Sequence, residues 1–122
     1  IRVLSEEFGI KKGELDLVTL PVFSLFNPAL GVTSVIPEMN PTKPAKADAE
    51  KLVQTIVNYR VSSAFCSPVI GKKINDHCKT NNVSLGSIKR IMLAGAPASP
   101  NLVCNLASRL PQGDVFVPYG AT

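Results

Sequence analysis

The sequence predicts an α/β fold, a mostly parallel sheet with helices packed on it, and three observations predict it. Short apolar runs of strand length alternate with stretches whose apolar residues recur at helical spacing. Two of those helical stretches open on the same pair, Ser67-Pro68 and Ser99-Pro100, an N-cap residue followed by a proline at the first helical position. Of the 122 residues, 45% are hydrophobic and only 18% charged, too apolar a balance for a disordered segment.

Ile1 to Phe8 has the character of a helix end, closed by Gly9. Leu15 to Leu20 reads as a strand, Phe26 to Leu30 as a helical turn and Val32 to Ile36 as another strand. Pro37 to Pro44 holds three prolines and is a stiff surface connector within one domain, since the patterns on both sides suit one sheet. Asp48 can cap a helix whose apolar stripe is Ala49, Leu52, Val53, Ile56 and Val57. Val61 to Phe65 is a strand. The helix opened by Ser67-Pro68 carries Val69, Ile70 and Ile74 and ends at Thr80-Asn81-Asn82. Ile88 to Leu93 is a strand, and Leu102, Val103, Leu106, Ala107 and Leu110 stripe the helix after Ser99-Pro100. Pro111 to Gly113 stops it before a last strand, Val115 to Val117. The β-α-β-α-β order calls for parallel pairing and right-handed crossovers. No internal repeat or low-complexity stretch interrupts it.

Charge and cysteine usage exclude several classes. Thirteen Lys and Arg against nine Asp and Glu leave +4, but the basic residues are scattered and Trp is absent. Nucleic-acid binding needs a clustered basic face with stacking aromatics, so no nucleic-acid partner is expected. Cys66, Cys78 and Cys104 form no CxxC, and their odd number argues against a disulfide framework. They read as small buried or half-buried thiols, in keeping with a reducing, cytoplasmic compartment. His77 adjoins Cys78, but helix neighbours do not face each other, and four convergent zinc ligands cannot be assembled. No residue is assigned to a metal. No apolar run reaches the roughly 18 residues of a transmembrane helix, and no signal-peptide pattern appears. The sequence starts at Ile1 and stops at Thr122 within an apolar stretch, and is expected to be a segment of a longer protein.

The topology says where to look for function. In open α/β sheets, ligands bind beyond the carboxyl ends of the strands. Pro21 to Asn27, Cys66-Ser67, Gly95 to Ser99 and Tyr119 to Thr122 fall there, all rich in small residues, Pro or Gly. Ala94-Gly95-Ala96-Pro97-Ala98-Ser99 leaves a strand and opens a helix, so its amides suit a flat ring or an anion. Pro118-Tyr119-Gly120-Ala121-Thr122 offers an aromatic face, a glycine and a hydroxyl. Each alone also suits an ordinary turn. A flavodoxin-like nucleotide-binding module, or a structural half-domain without a site, would carry the same features.

Taken together, these segments resemble the adenylate-forming superfamily of acyl-CoA synthetases, luciferases and nonribosomal adenylation domains. Leu20-Pro21-Val22-Phe23-Ser24-Leu25-Phe26 is similar to the family's Leu-Pro-Leu-Phe-His segment beside the acyl pocket. Asn58-Tyr59-Arg60-Val61-Ser62 to Pro68, and Leu85-Gly86-Ser87-Ile88-Lys89-Arg90, resemble two further family segments. Gly95-Ala96-Pro97 matches its Gly-Ala-Pro turn, and Tyr119-Gly120-Ala121-Thr122 its Tyr-Gly-x-Thr-Glu motif. Phe26-Asn27-Pro28-Ala29-Leu30-Gly31, Val35-Ile36-Pro37-Glu38-Met39-Asn40-Pro41 and Gly-Ala-Thr narrow the likeness to the olefin-biosynthesis β-lactone synthetases, often labelled fatty acyl-CoA ligases.

The resemblance implies a subdomain of the family's large N-terminal domain, without the phosphate loop and the C-terminal domain. It implies ATP and a long-chain, 3-hydroxylated fatty acid joined as acyl-AMP, then a β-lactone, or a thioester where CoA is the acceptor. Thr122 would orient the α-phosphate as the catalytic residue. Gly95, Ala96, Pro97, Tyr119, Gly120 and Ala121 would complete the nucleotide site. Phe23, Ser24, Asn27, Leu30, Leu93 and Ala94 would line the acyl pocket. The family's Mg2+ ligand would follow Thr122. Ser24 stands where many acyl-CoA synthetases carry a histidine, which weakens any role borrowed from it. Partners would be the fatty acid, the rest of the chain, and either a second copy or other enzymes of the pathway. Adenylation uses the substrate carboxylate as nucleophile, so it needs neither a triad nor paired acids.

Overall fold

Five short strands hydrogen-bond into one parallel sheet in the computed structural model, which describes residues 13–19, 27–40, 42–94 and 96–117. They are β1 (Leu15–Val18), β2 (Thr33–Val35), β3 (Ser63–Cys66), β4 (Arg90–Leu93) and β5 (Asp114–Phe116). Between them run α1 (Asn27–Leu30), α2 (Ala49–Tyr59), α3 (Pro68–Asn81) and α4 (Pro100–Ala107), with a 3-10 turn over Pro44–Lys46. The α/β expectation is borne out, and every pairing is parallel. The helix end expected over Ile1 to Phe8 lies outside the described residues.

The caps form as the sequence requires. Ser67 accepts from the Ile70 amide, Ser99 from the Leu102 amide, and Asp48 from the amides of Glu50 and Lys51. Arg60 and Asn82 close α2 and α3 in the left-handed region, at φ 53° and 54°. The helix after Ser99 is shorter than its apolar stripe. Beyond Ala107 the chain turns through tighter bonds, Arg109 N–H to Leu106 O and Leu110 N–H to Ala107 O, and Leu110 stays buried without being helical.

The strand order is β2-β1-β3-β4-β5. Crossovers from β2 onward run in one direction and, being right-handed, place α2, α3 and α4 on the same face. That face is the core. Leu17, Ala64, Cys66, Ile91 and Leu93 pack there against Leu52 and Ile56 of α2, Ile70 and Ile74 of α3 and Leu106 of α4. Gly71 suits this packing, since a Cβ there would lie 2.8 Å from Leu93 Cδ2 and oblige that side chain to shift. The connection from β1 to β2 runs the other way and carries α1 to the opposite face.

That opposite face is built in two rungs. Strand register aligns Ser34, Asp16, Ser63, Arg90 and Asp114, one polar residue from each strand. Two residues on, Val18, Phe65, Met92 and Phe116 align as an apolar rung nearer the carboxyl ends.

Candidate functional site

The connections leaving β1 and β3 run to opposite sides along the sheet, so the crevice outside their carboxyl ends is where this strand order places a ligand. Thr19 spans it, its Oγ1 donating to Phe65 O at 2.9 Å. The ends of β3 and β4 are tied by Ala94 N–H donating to Cys66 O at 2.9 Å. Just beyond β4, Ala96 and Pro97 are exposed and lead to the Ser99 cap of α4. Beside Pro97 a groove of about 510 Å³ separates α3 from α4, lined among others by Pro68, Val69, Asn75 and Leu102. The buried Oδ1 of Asn75 has no hydrogen-bond partner.

The structure brings Ala94, Ala96 and Pro97 to one strand end. It does not bring Leu93 and Asn27 there. Leu93 turns into the helix-side core against Gly71. Asn27 sits lower on the opposite face, at the polar rung, where its Nδ2 donates to Asp16 Oδ2 at 3.0 Å and to Ser34 Oγ at 2.9 Å. Leu30 ends α1. Phe23, Ser24, Gly95, Tyr119, Gly120, Ala121 and Thr122 lie outside the described residues.

Two buried acids and a buried arginine were not singled out by the sequence reading. Arg90 donates from Nη1 to Glu14 Oε2 and from Nη2 to Glu14 Oε1, both at 2.7 Å, and the two side chains are each 5% exposed. Asp16, equally enclosed, accepts from Ser63 Oγ at 2.9 Å as well as from Asn27. Burial pushes the Asp16 carboxyl above its ordinary value, against the lowering effects of Asn27, Ser63 and Arg90; Glu14 adds to the rise. The sequence held a signal for all this. Asp16 and Arg90 each interrupt an otherwise apolar strand pattern, and such interruptions in a central strand need a partner.

The thiols are free, as expected. Cys66 and Cys78 are buried, whereas Cys104 is exposed rather than half-buried. Burial drives the Cys66 thiol up to about 12 and also raises Cys78, so neither is an activated nucleophile. His77 receives a contact from Asn81 Nδ2 along its own helix. Among the described residues no three His, Cys, Asp or Glu side chains converge on a metal position, and no helix is long and apolar enough to cross a membrane.

No protein-family model matches the chain. It is 42% identical over its whole length to the olefin beta-lactone synthetase of Stenotrophomonas maltophilia and 40% identical to that of Xanthomonas campestris pv. campestris. The chain spans 22% and 21% of the length of those relatives. Among solved structures it resembles an AMPPNP-bound nonribosomal peptide synthetase, FmoA3, with a TM-score of 0.80 at 17% identity over 93% of this chain and 13% of that one. A luciferase-like enzyme from the mealworm Zophobas morio matches at TM-score 0.73 and 19% identity, covering 98% of this chain and 28% of that one. The N-terminal domain of FACL13 from Mycobacterium tuberculosis matches at 0.68 and 21% identity over 87% and 26%. Those three show the shared fold. Along all of its length the chain is therefore similar to one segment of the olefin β-lactone synthetases, and it shares its fold with the three solved enzymes.

Proposed function

We propose that the chain is a segment of the large N-terminal domain of an ATP-dependent enzyme that activates a long-chain 3-hydroxy fatty acid and closes it to a β-lactone. The observation that carries this reading is the 42% identity to a β-lactone synthetase along all of the chain. The fatty-acid carboxylate attacks the α-phosphorus of ATP, and pyrophosphate leaves. The 3-hydroxyl then attacks the acyl carbonyl of the acyl-AMP, loses its proton, and AMP leaves as the ring closes. Positioning and charge stabilisation do the work in such transfers.

In this reading the exposed Ala96 and Pro97, with Gly95, lie along the adenine, and Tyr119 flanks its other face. Gly120 and Ala121 allow close approach to the phosphates, and the Thr122 hydroxyl orients the α-phosphate. Phe23, Ser24, Asn27, Leu30, Leu93 and Ala94 belong to the acyl side. Ala94 stands nearest the strand end, while Leu93 acts from the core behind it. Magnesium bound with ATP would neutralise phosphate charge, and among the described residues no cluster of acids stands ready to hold it. The three free thiols suit a reducing cytoplasm.

The test uses the full-length protein with ATP and a 3-hydroxy fatty acid, with and without CoA. Acid-dependent pyrophosphate release and a β-lactone formed without CoA are the expected result. A thioester formed only with CoA would make it a CoA ligase. No acid-dependent pyrophosphate release would overturn the reading.

A further inference from the structure

Asn27 is the first residue of α1 and lies on the sheet face opposite the helical core, the face that also presents Met92 and, by alternation, Ala94. It is 6% exposed, an unusual burial for an amide side chain. Its burial is explained by a closed set of hydrogen bonds across three strands. Nδ2 donates to Asp16 of β1 and to Ser34 of β2, and Asp16 in turn accepts from Ser63 of β3. The backbone of the same turn is fixed as well: Val32 N–H donates to Asn27 O at 2.9 Å, and Gly13 N–H to Gly31 O at 2.8 Å. A four-residue helix has too few internal bonds to hold its own position. The side-chain clamp supplies the constraint.

We propose that Asp16 is a positioning residue for the acyl side of the site: with Ser34 and Ser63 it locks Asn27, and through it α1, so that the clamp sets how the fatty acid is accepted. This rests on the acyl-activating reading above. Asp16 touches no substrate; it acts through Asn27. Loosening the clamp displaces one wall of the acyl side and leaves Ala96 and Pro97, at the far end of β4, where they are.

The chemistry of the clamp gives a specific test. Asn27→Asp sets two carboxylates against each other. The exchange Asp16→Asn with Asn27→Asp restores a donor facing an acceptor, because the hydroxyls of Ser34 and Ser63 can turn to suit either arrangement. In the full-length protein, acid-dependent pyrophosphate release is measured against fatty-acid and ATP concentration for Asn27→Asp, for the exchanged pair and for the milder Ser34→Ala. Asn27→Asp should raise the fatty-acid KM about tenfold or more and move the ATP KM less than about twofold. The exchanged pair should return to within about threefold of the unmodified protein, and Ser34→Ala should show the same bias at smaller size. Equal rises in both KM values, or an exchanged pair no better than Asn27→Asp, would overturn the proposal, and Ser34→Ala decides if Asn27→Asp fails to fold. If the unmodified protein releases no pyrophosphate with any fatty acid, the functional reading falls, and the clamp is judged by binding of the fluorescent fatty acid cis-parinaric acid. Weaker binding in the single variants, restored by the exchange, supports it; binding indifferent to all three overturns it.

Discussion

Replacing Arg90 by Met tests what ties β4 to the start of β1 across the intervening β3. Methionine keeps much of the length of the arginine stem but carries no charge. In the structure both guanidinium nitrogens sit 2.7 Å from the Glu14 carboxylate, and each side chain is 5% exposed. At that distance, with an effective dielectric near 20, the gross attraction is about 6 kcal/mol. Most of it offsets the cost of desolvating two charges, so the pair's net contribution is far smaller. The variant does not lose the net contribution. It removes the guanidinium from beside two buried carboxylates, Glu14 and Asp16, and breaking a buried pair from one side costs about 3–5 kcal/mol. The assay is native-state hydrogen exchange of the β1 and β4 amides, which reads the free energy of local opening. Exchange at those amides should quicken by two to nearly four orders of magnitude, about tenfold for each 1.4 kcal/mol. The double variant Glu14→Leu, Arg90→Met should recover much of the loss, because the carboxylate that Arg90 grips goes with it. Acceleration below about tenfold in Arg90→Met, or a double variant worse than the single, would refute the reasoning.

Gly113 precedes β5, and a Cβ there would lie 2.5 Å from Ile88 O and 3.1 Å from Lys89 C, backbone atoms that cannot rotate away. Gly113→Ala should therefore break the Asp114 N–H to Lys89 O bond and cost about 3 kcal/mol, the upper end for overpacking, seen as faster exchange at the Asp114 amide. Asn75→Leu removes a buried acceptor that has no partner, and should stabilise the fold by about 1 kcal/mol, read as a higher unfolding midpoint; a lower midpoint would mean that the oxygen is satisfied in solution. Cys66 has a folded-state pKa raised from 9.0 to about 12, so its contribution to stability is complete below pH 9 and is lost as pH rises towards 12. Stability should fall there by about 1.4 kcal/mol per pH unit on this account, and Cys66→Ala should flatten that part of the curve. Thr122→Val in the full-length enzyme should slow acyl-AMP formation by about a hundredfold with little change in fatty-acid affinity, as loss of one oriented phosphate contact would; an unchanged rate removes Thr122 from the mechanism.

Much of the architecture was legible because its signals are local. Ser67-Pro68 and Ser99-Pro100 mark helix starts through bonds made within three residues, and both caps form. Strand ends were less legible for a physical reason. Val61 looks like a strand residue because it is wholly buried, yet its N–H donates to Ile56 O as part of the closing turn of α2, so β3 begins only at Ser63. Burial and strand pairing are different properties, and an apolar run reports only the first. Leu110 makes the same point at a helix end. The candidate site divides likewise. Ala96 and Pro97 could be placed at a strand end from order alone, because in a parallel sheet every loop that leaves a strand lies at the carboxyl ends. Leu93 and Asn27 could not, since each depends on which face of the sheet its side chain takes.

The polar rung shows locally only as Asp16 and Arg90 interrupting apolar strands, its pairings being long-range, and it explains the division of the far face. Arg90 and Glu14 are 76 residues apart in sequence, and neither is recognisable as a partner until β1 and β4 have paired on either side of β3. Once set, they impose an order on everything near them. A buried charge tolerates no slip of register, since moving β4 by one residue would carry Arg90 to the helical core and Ile91 to the polar row. The same rung gives Asp16 the partners that hold Asn27, and so ties a four-residue helix to the register of the whole sheet. The apolar rung above it, Val18, Phe65, Met92 and Phe116, is then free to serve an apolar purpose. Specificity of register at the amino ends and an apolar floor nearer the carboxyl ends are thus two results of one arrangement, with polar residues at the foot of the strands and apolar ones above them.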